Sequence, residues 1–184
     1  VPVSHVVGVG GRDLSEAVGG RMAQQAARAL EADPGTAAVL LVSKPPSPGA
    51  ARTVLSECTG TPAVAVFLGL DELDAPDGVT QSPTLEQGAL AAARLVGATP
   101  PDVTAGLREQ VAARLDGLDA ARTRVRGLFS GGTLCYEAQH VLEGLLGPVY
   151  SNEPLRAAHT PDAAPQGAHL LLDLGAGVGT AHAV

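Results

Sequence analysis

The chain has 184 residues, of which 45% are hydrophobic and 17% charged, with a net charge of -7 and a pI of about 5.1. That length suits one domain or one and a half, with enough apolar material for a core and too few charges for a disordered segment. The acidic balance argues against a nucleic-acid partner, which needs a basic face, and no apolar run reaches the roughly eighteen residues of a membrane span. Cys58 and Cys135 are too few for a disulfide scaffold and point to a reducing, cytoplasmic compartment. The chain opens on Val1 without a charged-then-apolar leader, so it is expected to be a piece of a longer, non-secreted protein.

Abundant glycine beside few aromatic residues fits βα repeats, in which helices lie close on a sheet. In chain order, residues 3–9 read as a short buried strand ending in Gly8-Val9-Gly10-Gly11. A helix is predicted over 15–32, with Asp13 or Ser15 as N-cap and Asp33-Pro34-Gly35 as its stop. The continuous apolar run 37–42 reads as a parallel strand covered on both faces. Lys44-Pro45-Pro46 interrupts the chain, a helix resumes to about Cys58, and 62–68 reads as a third strand. Residues 71–82 read as a polar loop, 84–96 as a helix, and Pro100-Pro101 as the start of a further helix running through Leu118. At Arg124 the pattern restarts: strand 124–129, turn 130–133, helix 134–146, short strand 149–150, polar loop 151–166 and strand 169–174. The alternation predicts an α/β protein with parallel sheets, divided into units at 1–98 and 124–184 by a helical linker over 99–123.

Three glycine clusters follow strands. In Gly8-Val9-Gly10-Gly11-Arg12-Asp13, an acid stands where a dinucleotide fingerprint needs its third glycine, so a pyrophosphate would meet a carboxylate. The cluster is either a plain turn or a ligand loop at the carboxyl end of the sheet, and the second reading is preferred. Ser130-Gly131-Gly132-Thr133 leads into a helix whose free N–H groups favour an anion. The alternative is an ordinary helix start capped by Thr133. The nearest acid in sequence, Glu137, lies about one turn further on, so a carboxylate substituted at Gly132 is expected to oppose a bound anion without harming the fold. Asp173-Leu174-Gly175-Ala176-Gly177-Val178-Gly179 is similar to a methyltransferase nucleotide loop, but that fold needs several more βα units after it.

Catalytic constellations are sparse. The histidines His5, His140, His159, His169 and His182 lack metal-ligand spacing, so no metal site is expected. Cys135 sits in the first turn after the glycine loop, where a helix dipole lowers a thiol pKa, whereas burial would make it an inert core residue.

The stretch from Val7 through Asp13, with its following helix and Asp33-Pro34, resembles the ligase part of a succinyl-CoA synthetase α subunit. Ser130-Gly131-Gly132-Thr133-Leu134-Cys135-Tyr136-Glu137-Ala138 resembles that subunit's Ser-Gly-Thr-Leu-Thr-Tyr-Glu-Ala loop and helix. The order of the two motifs along the chain is similar to that of the FdrA family of acyl-CoA synthetase-like proteins, over most of residues 4–175. The resemblance implies a flavodoxin-like fold in tandem CoA-ligase-type portions, and acyl-CoA synthetase-like or carbamoyltransferase activity on oxamate and carbamoyl phosphate. A non-catalytic CoA- or nucleotide-binding module is the alternative from another class. It further implies CoA or a phosphorylated ligand, a small anionic substrate, and other ligase-type domains or subunits as partners. The residues expected to hold that ligand are Gly8, Gly10, Gly11, Arg12, Lys44, Ser130, Gly131, Gly132 and Thr133.

Two departures remove the synthetase's phosphohistidine relay from that expectation. The equivalent of its histidine loop, residues 70–84, contains no histidine, and Lys44 stands where the orienting glutamate is expected. A cation there creates an anion site in place of an imidazolium partner. Incubation with ATP, or with succinyl-CoA and phosphate, is therefore expected to label no acid-labile site. Phosphohistidine recovered by mass spectrometry at any of the five histidines would overturn that expectation.

Overall fold

The computed structural model describes residues 2–70 and 73–175. Two three-stranded sheets, every pair parallel, are flanked by helices, which is the flavodoxin-like α/β class expected. The first sheet has the order β1-β2-β3, with β1 Val39–Ser43, β2 Ala63–Phe67 and β3 Val79–Gln81. Helices α1 (Arg21–Glu31), α2 (Pro48–Leu55) and α3 (Leu85–Leu95) accompany it. The second has the order β4-β6-β5, with β4 Arg126–Phe129, β5 Val149–Ser151 and β6 His169–Asp173, and carries α5 (Gly132–Leu146). Between the sheets, α4 (Leu107–Leu115) lies in a stretch, residues 101–124, whose every residue is exposed.

Strand β2 is central and buried at all five positions, as its unbroken apolar run requires of a parallel strand covered on both faces. Ala65 and Phe67 face Ala51 and Leu55 of α2 together with Leu73, while Val64, Val66 and Leu68 face Leu85, Ala91 and Ala92 at α3. A third cluster joins Ala27 of α1 to Val39, Cys58 and Ala63. In the second sheet, Cys135 of α5 packs on Val149 and Leu171.

Several elements differ from the expectation. Residues 3–9 form no strand: among the described residues no strand pairs with them, and Val6 is 90% exposed, because an apolar run without a ladder neighbour has no sheet to bury it. The first helix begins at Arg21, not residue 15, because Gly19 and Gly20 take left-handed φ values of 72° and 75° that interrupt helical geometry. Likewise α4 starts only after Gly106, at φ 72°, and is shorter than the helix expected over 101–118. The stretch expected to be a loop over 71–82 contains β3, three residues that Val79 and Thr80 register against Ala63 and Val64. Helix α5 begins at Gly132, so Thr133 lies inside it; the N-cap is Gly131, and among the described residues no side chain caps the helix.

Close approach explains one further glycine. A Cβ on Gly88 of α3 would lie 2.1 Å from Val66 Cγ2, in the core where the stiff valine cannot yield. Elsewhere in a helix Gly→Ala gains about 0.5–1 kcal/mol. Here overpacking outweighs that gain, so Gly88→Ala is expected to lose about 1–3 kcal/mol, read as a lower urea midpoint at an unchanged slope.

Candidate functional site

The carboxyl end of β1 delivers Lys44, which is partly buried. A Cβ on Gly11 would lie 3.9 Å from Lys44 Cε, so the first glycine loop passes directly beside this side chain. From the other sheet, the Tyr136 ring of α5 comes within 5.9 Å of Lys44 Nζ, within reach of a cation–π contact. Gly132, one turn before Tyr136, packs on the same ring, with its Cβ position 3.8 Å from Tyr136 Cε2. The Tyr136 ring thus links Lys44, with Gly11 beside it, to Gly132, about 120 positions after Gly11 in the chain.

Two carboxylates flank this group. Glu153 Oε2 accepts a hydrogen bond from the Tyr136 hydroxyl at 3.1 Å. Burial, reinforced by that carboxylate, pushes the phenol up to about 12, so Tyr136 stays a neutral donor. Asp173, at the end of β6 and 3% exposed, accepts from the Gly175 amide at 2.9 Å. Its Oδ2 lies 3.2 Å from the Gly132 Cβ position. The nearest acid to the glycine loop in space is thus Asp173, not Glu137, and the expectation for Gly132→Asp changes. The new carboxylate would meet a buried one, which disturbs the loop itself as well as any ligand.

Glu137 is turned away. Its Oε1 accepts from the Leu85 amide at 2.6 Å and caps α3 across the junction of the sheets. Tyr136 also packs on Val64, Val66 and Leu68, so the turn that carries the site closes the core of the first sheet.

The other expected residues are distributed less favourably. Nothing lies within 4 Å of a Cβ placed on Gly8, Gly10 or Gly131, and Arg12, Ser130 and Gly131 are exposed. The N-terminus of α1, where the first glycine loop would present an anion, is filled by the chain itself: Asp13 accepts from Met22 N at 3.0 Å and Ala23 N at 2.9 Å. Asp13 is therefore the expected cap, acting from eight positions before the helix begins. Cys135 is fully buried, and desolvation pushes its thiol up, so the helix dipole does not make it a reactive thiolate. Residues 176–179 of the third glycine cluster lie outside the described residues.

Sequence reasoning missed Glu153 and the roles of Tyr136 and Asp173. Both latter residues stood in motifs already noted, and an acid at the carboxyl end of a parallel strand is itself a site indication. Glu153, in an irregular segment after β5, offered none. Chemically, the arrangement combines one cation, a phenol donor, a helix start without a side-chain cap and two acceptor carboxylates. Such a set orients an anion that also carries N–H or O–H donors. Among the described residues, no group of His, Cys, Asp and Glu is arranged to hold a metal ion, and no helix is long and apolar enough to cross a membrane.

The fold and site thus define a parallel α/β protein with an ionic cluster at the carboxyl edges of its sheets. No family model matches the chain. It is similar to the uncharacterized protein YahF of Escherichia coli strain K12, with 38% identity over 158 residues, and spans 82% of itself but only 30% of that relative.

The capping role of Asp13 has a measurable consequence. Asp13→Ala leaves the Met22 and Ala23 amides without their acceptor and is expected to cost about 1–2 kcal/mol of stability in urea denaturation. An unchanged midpoint would show that water replaces the carboxylate at no cost.

Proposed function

We propose that the chain is part of an FdrA-like, acyl-CoA synthetase-related protein, and that it binds a small anionic or phosphorylated ligand, CoA included, at Lys44. The observation that carries this reading is the convergence of Gly11, Lys44, Tyr136 and Gly132 at the carboxyl edges of two parallel sheets. Open α/β sheets bind ligands outside the carboxyl ends of their strands. In this reading Lys44 supplies the charge, and the backbone around Gly11 and Gly132 approaches the ligand closely. The phosphohistidine relay has no place in it, since residues 70–84 contain no histidine.

A specific feature favours carbamoyl transfer as the second reading. Glu153, on the Tyr136 hydroxyl, and Asp173, beside Gly132, put acceptors around the ring that faces the cation, and a carbamoyl group brings N–H donors that a simple acyl phosphate lacks. Both readings use the same lysine.

Calorimetric titration of the full chain with inorganic phosphate, CoA and carbamoyl phosphate tests the site. Lys44→Ala is expected to weaken the bound ligand about tenfold or more, while Arg122→Ala, in the exposed stretch before β4, leaves it unchanged. Equal affinities in Lys44→Ala and the parent chain, or no binding of any of the three, would overturn the assignment.

A further inference from the structure

Gln139, on α5, is 0% exposed, and a buried amide is costly unless its donors and acceptor are matched. Here they are matched by the backbone of the segment after β5. Gln139 Nε2 donates to the Glu153 carbonyl at 3.0 Å and to the Cys135 carbonyl at 3.3 Å, while Oε1 accepts from the Leu155 amide at 2.9 Å. The side chain thus holds residues 153 and 155 against the helix much as a neighbouring strand would. A second amide works beside it: Asn152 donates to the Asp173 carbonyl and accepts from the Asp173 amide, both at 2.8 Å. Ser151 Oγ completes the set by accepting from the Glu153 amide at 3.2 Å.

The consequence falls on the Glu153 carboxylate. With its backbone held on both sides, Glu153 reaches the hydroxyl of Tyr136, which sits one turn before Gln139 on the same helix and turns its ring to Lys44. A core residue normally packs with apolar groups. This one directs a donor and its acceptor to the backbone that carries Glu153, the carboxylate that holds the Tyr136 phenol.

We infer that Gln139 is a positioning residue that sets the charge selectivity of the Lys44 site, by fixing the Glu153 carboxylate on Tyr136 so that monoanions are accepted more readily than dianions. The inference rests on the anion-binding reading of Lys44. A carboxylate fixed on the phenol whose ring faces the cation repels a dianionic ligand more than a monoanionic one, and by a factor that salt reduces.

The test is a double-mutant cycle on the full chain between Gln139→Leu and Glu153→Gln. Inorganic phosphate is titrated at a pH where it is mostly monoanionic and again where it is mostly dianionic. Glu153→Gln is expected to raise dianion affinity about two- to fourfold relative to the monoanion. Gln139→Leu is expected to do the same alone and to add nothing in the Glu153→Gln background. Additive effects, or an equal loss of affinity for both charge states, would mean that Gln139 serves stability only.

A second readout does not depend on ligand binding. The chain has two tyrosines, so in a Tyr150→Phe background the ¹³Cζ resonance belongs to Tyr136 alone. Gln139→Leu is expected to move it to the position seen in Glu153→Gln. An unmoved resonance in a folded Gln139→Leu protein would overturn the positioning role, whereas a moved resonance with no phosphate binding would overturn the anion site and leave the clamp standing. Gln139→Glu, which keeps the size and the acceptor for Leu155 but loses the donor to Glu153, replaces Gln139→Leu should circular dichroism show the latter unfolded.

Discussion

One turn of α5 serves both sheets, and the remaining architecture depends on it. Cys135 points into the core of the second sheet, where it packs with Val149 and Leu171. Its neighbours turn the other way, Tyr136 onto Val64, Val66 and Leu68, and Glu137 onto the first amide of α3. A parallel strand must be covered on both faces, and β2 gains part of one cover from a helix that belongs to the other sheet. The junction is therefore a shared core with a charged cap at its edge. Leu155 adds to it, since a Cβ on Gly69 would lie 2.4 Å from Leu155 Cδ1.

That constraint also explains why the ionic cluster lies where it does. Packing Tyr136 against β2 brings its ring to the carboxyl edge of the first sheet, next to the residue that leaves β1, which is Lys44. The glycine loop before α1 returns to the same edge because Asp13 ties it to the start of that helix. Each carboxylate in this region has a defined task. Asp13 caps α1 and Glu137 caps α3, while Glu153 holds a phenol and Asp173 lies behind the glycine loop. Two acids are thereby spent on helix ends, and two remain around the Tyr136 ring and the Gly132 turn.

Capping separates the two glycine clusters, each of which precedes a helix. The first precedes a helix whose free amides are already satisfied by the protein's own carboxylate, so it offers a backbone flank and no anion hole. The second precedes a helix whose N-cap is Gly131, so among the described residues no side chain caps its first amides. Asp173 lies close to Gly132.

What the sequence determined by itself was local. Apolar runs announced β1, β2 and β6, Thr84 marked the start of α3, where its Oγ1 accepts from the Gln87 amide, and Gly147 marked the end of α5. These features rest on interactions within a few residues, so composition and spacing suffice to read them. The parallel α/β class followed from their alternation. Tertiary structure alone decided which of them would meet. Residues 3–9 are as apolar as a strand but have no ladder neighbour among the described residues, and Val79–Gln81 is barely apolar yet becomes one because β2 offers it a ladder. Asp13 reaches its helix across eight residues, Lys44 finds Tyr136 across more than ninety, and Glu153 enters the cluster only because a buried amide on another element holds its backbone. Contacts of that kind depend on how separate elements pack, and no local pattern in the chain encodes the distance between them.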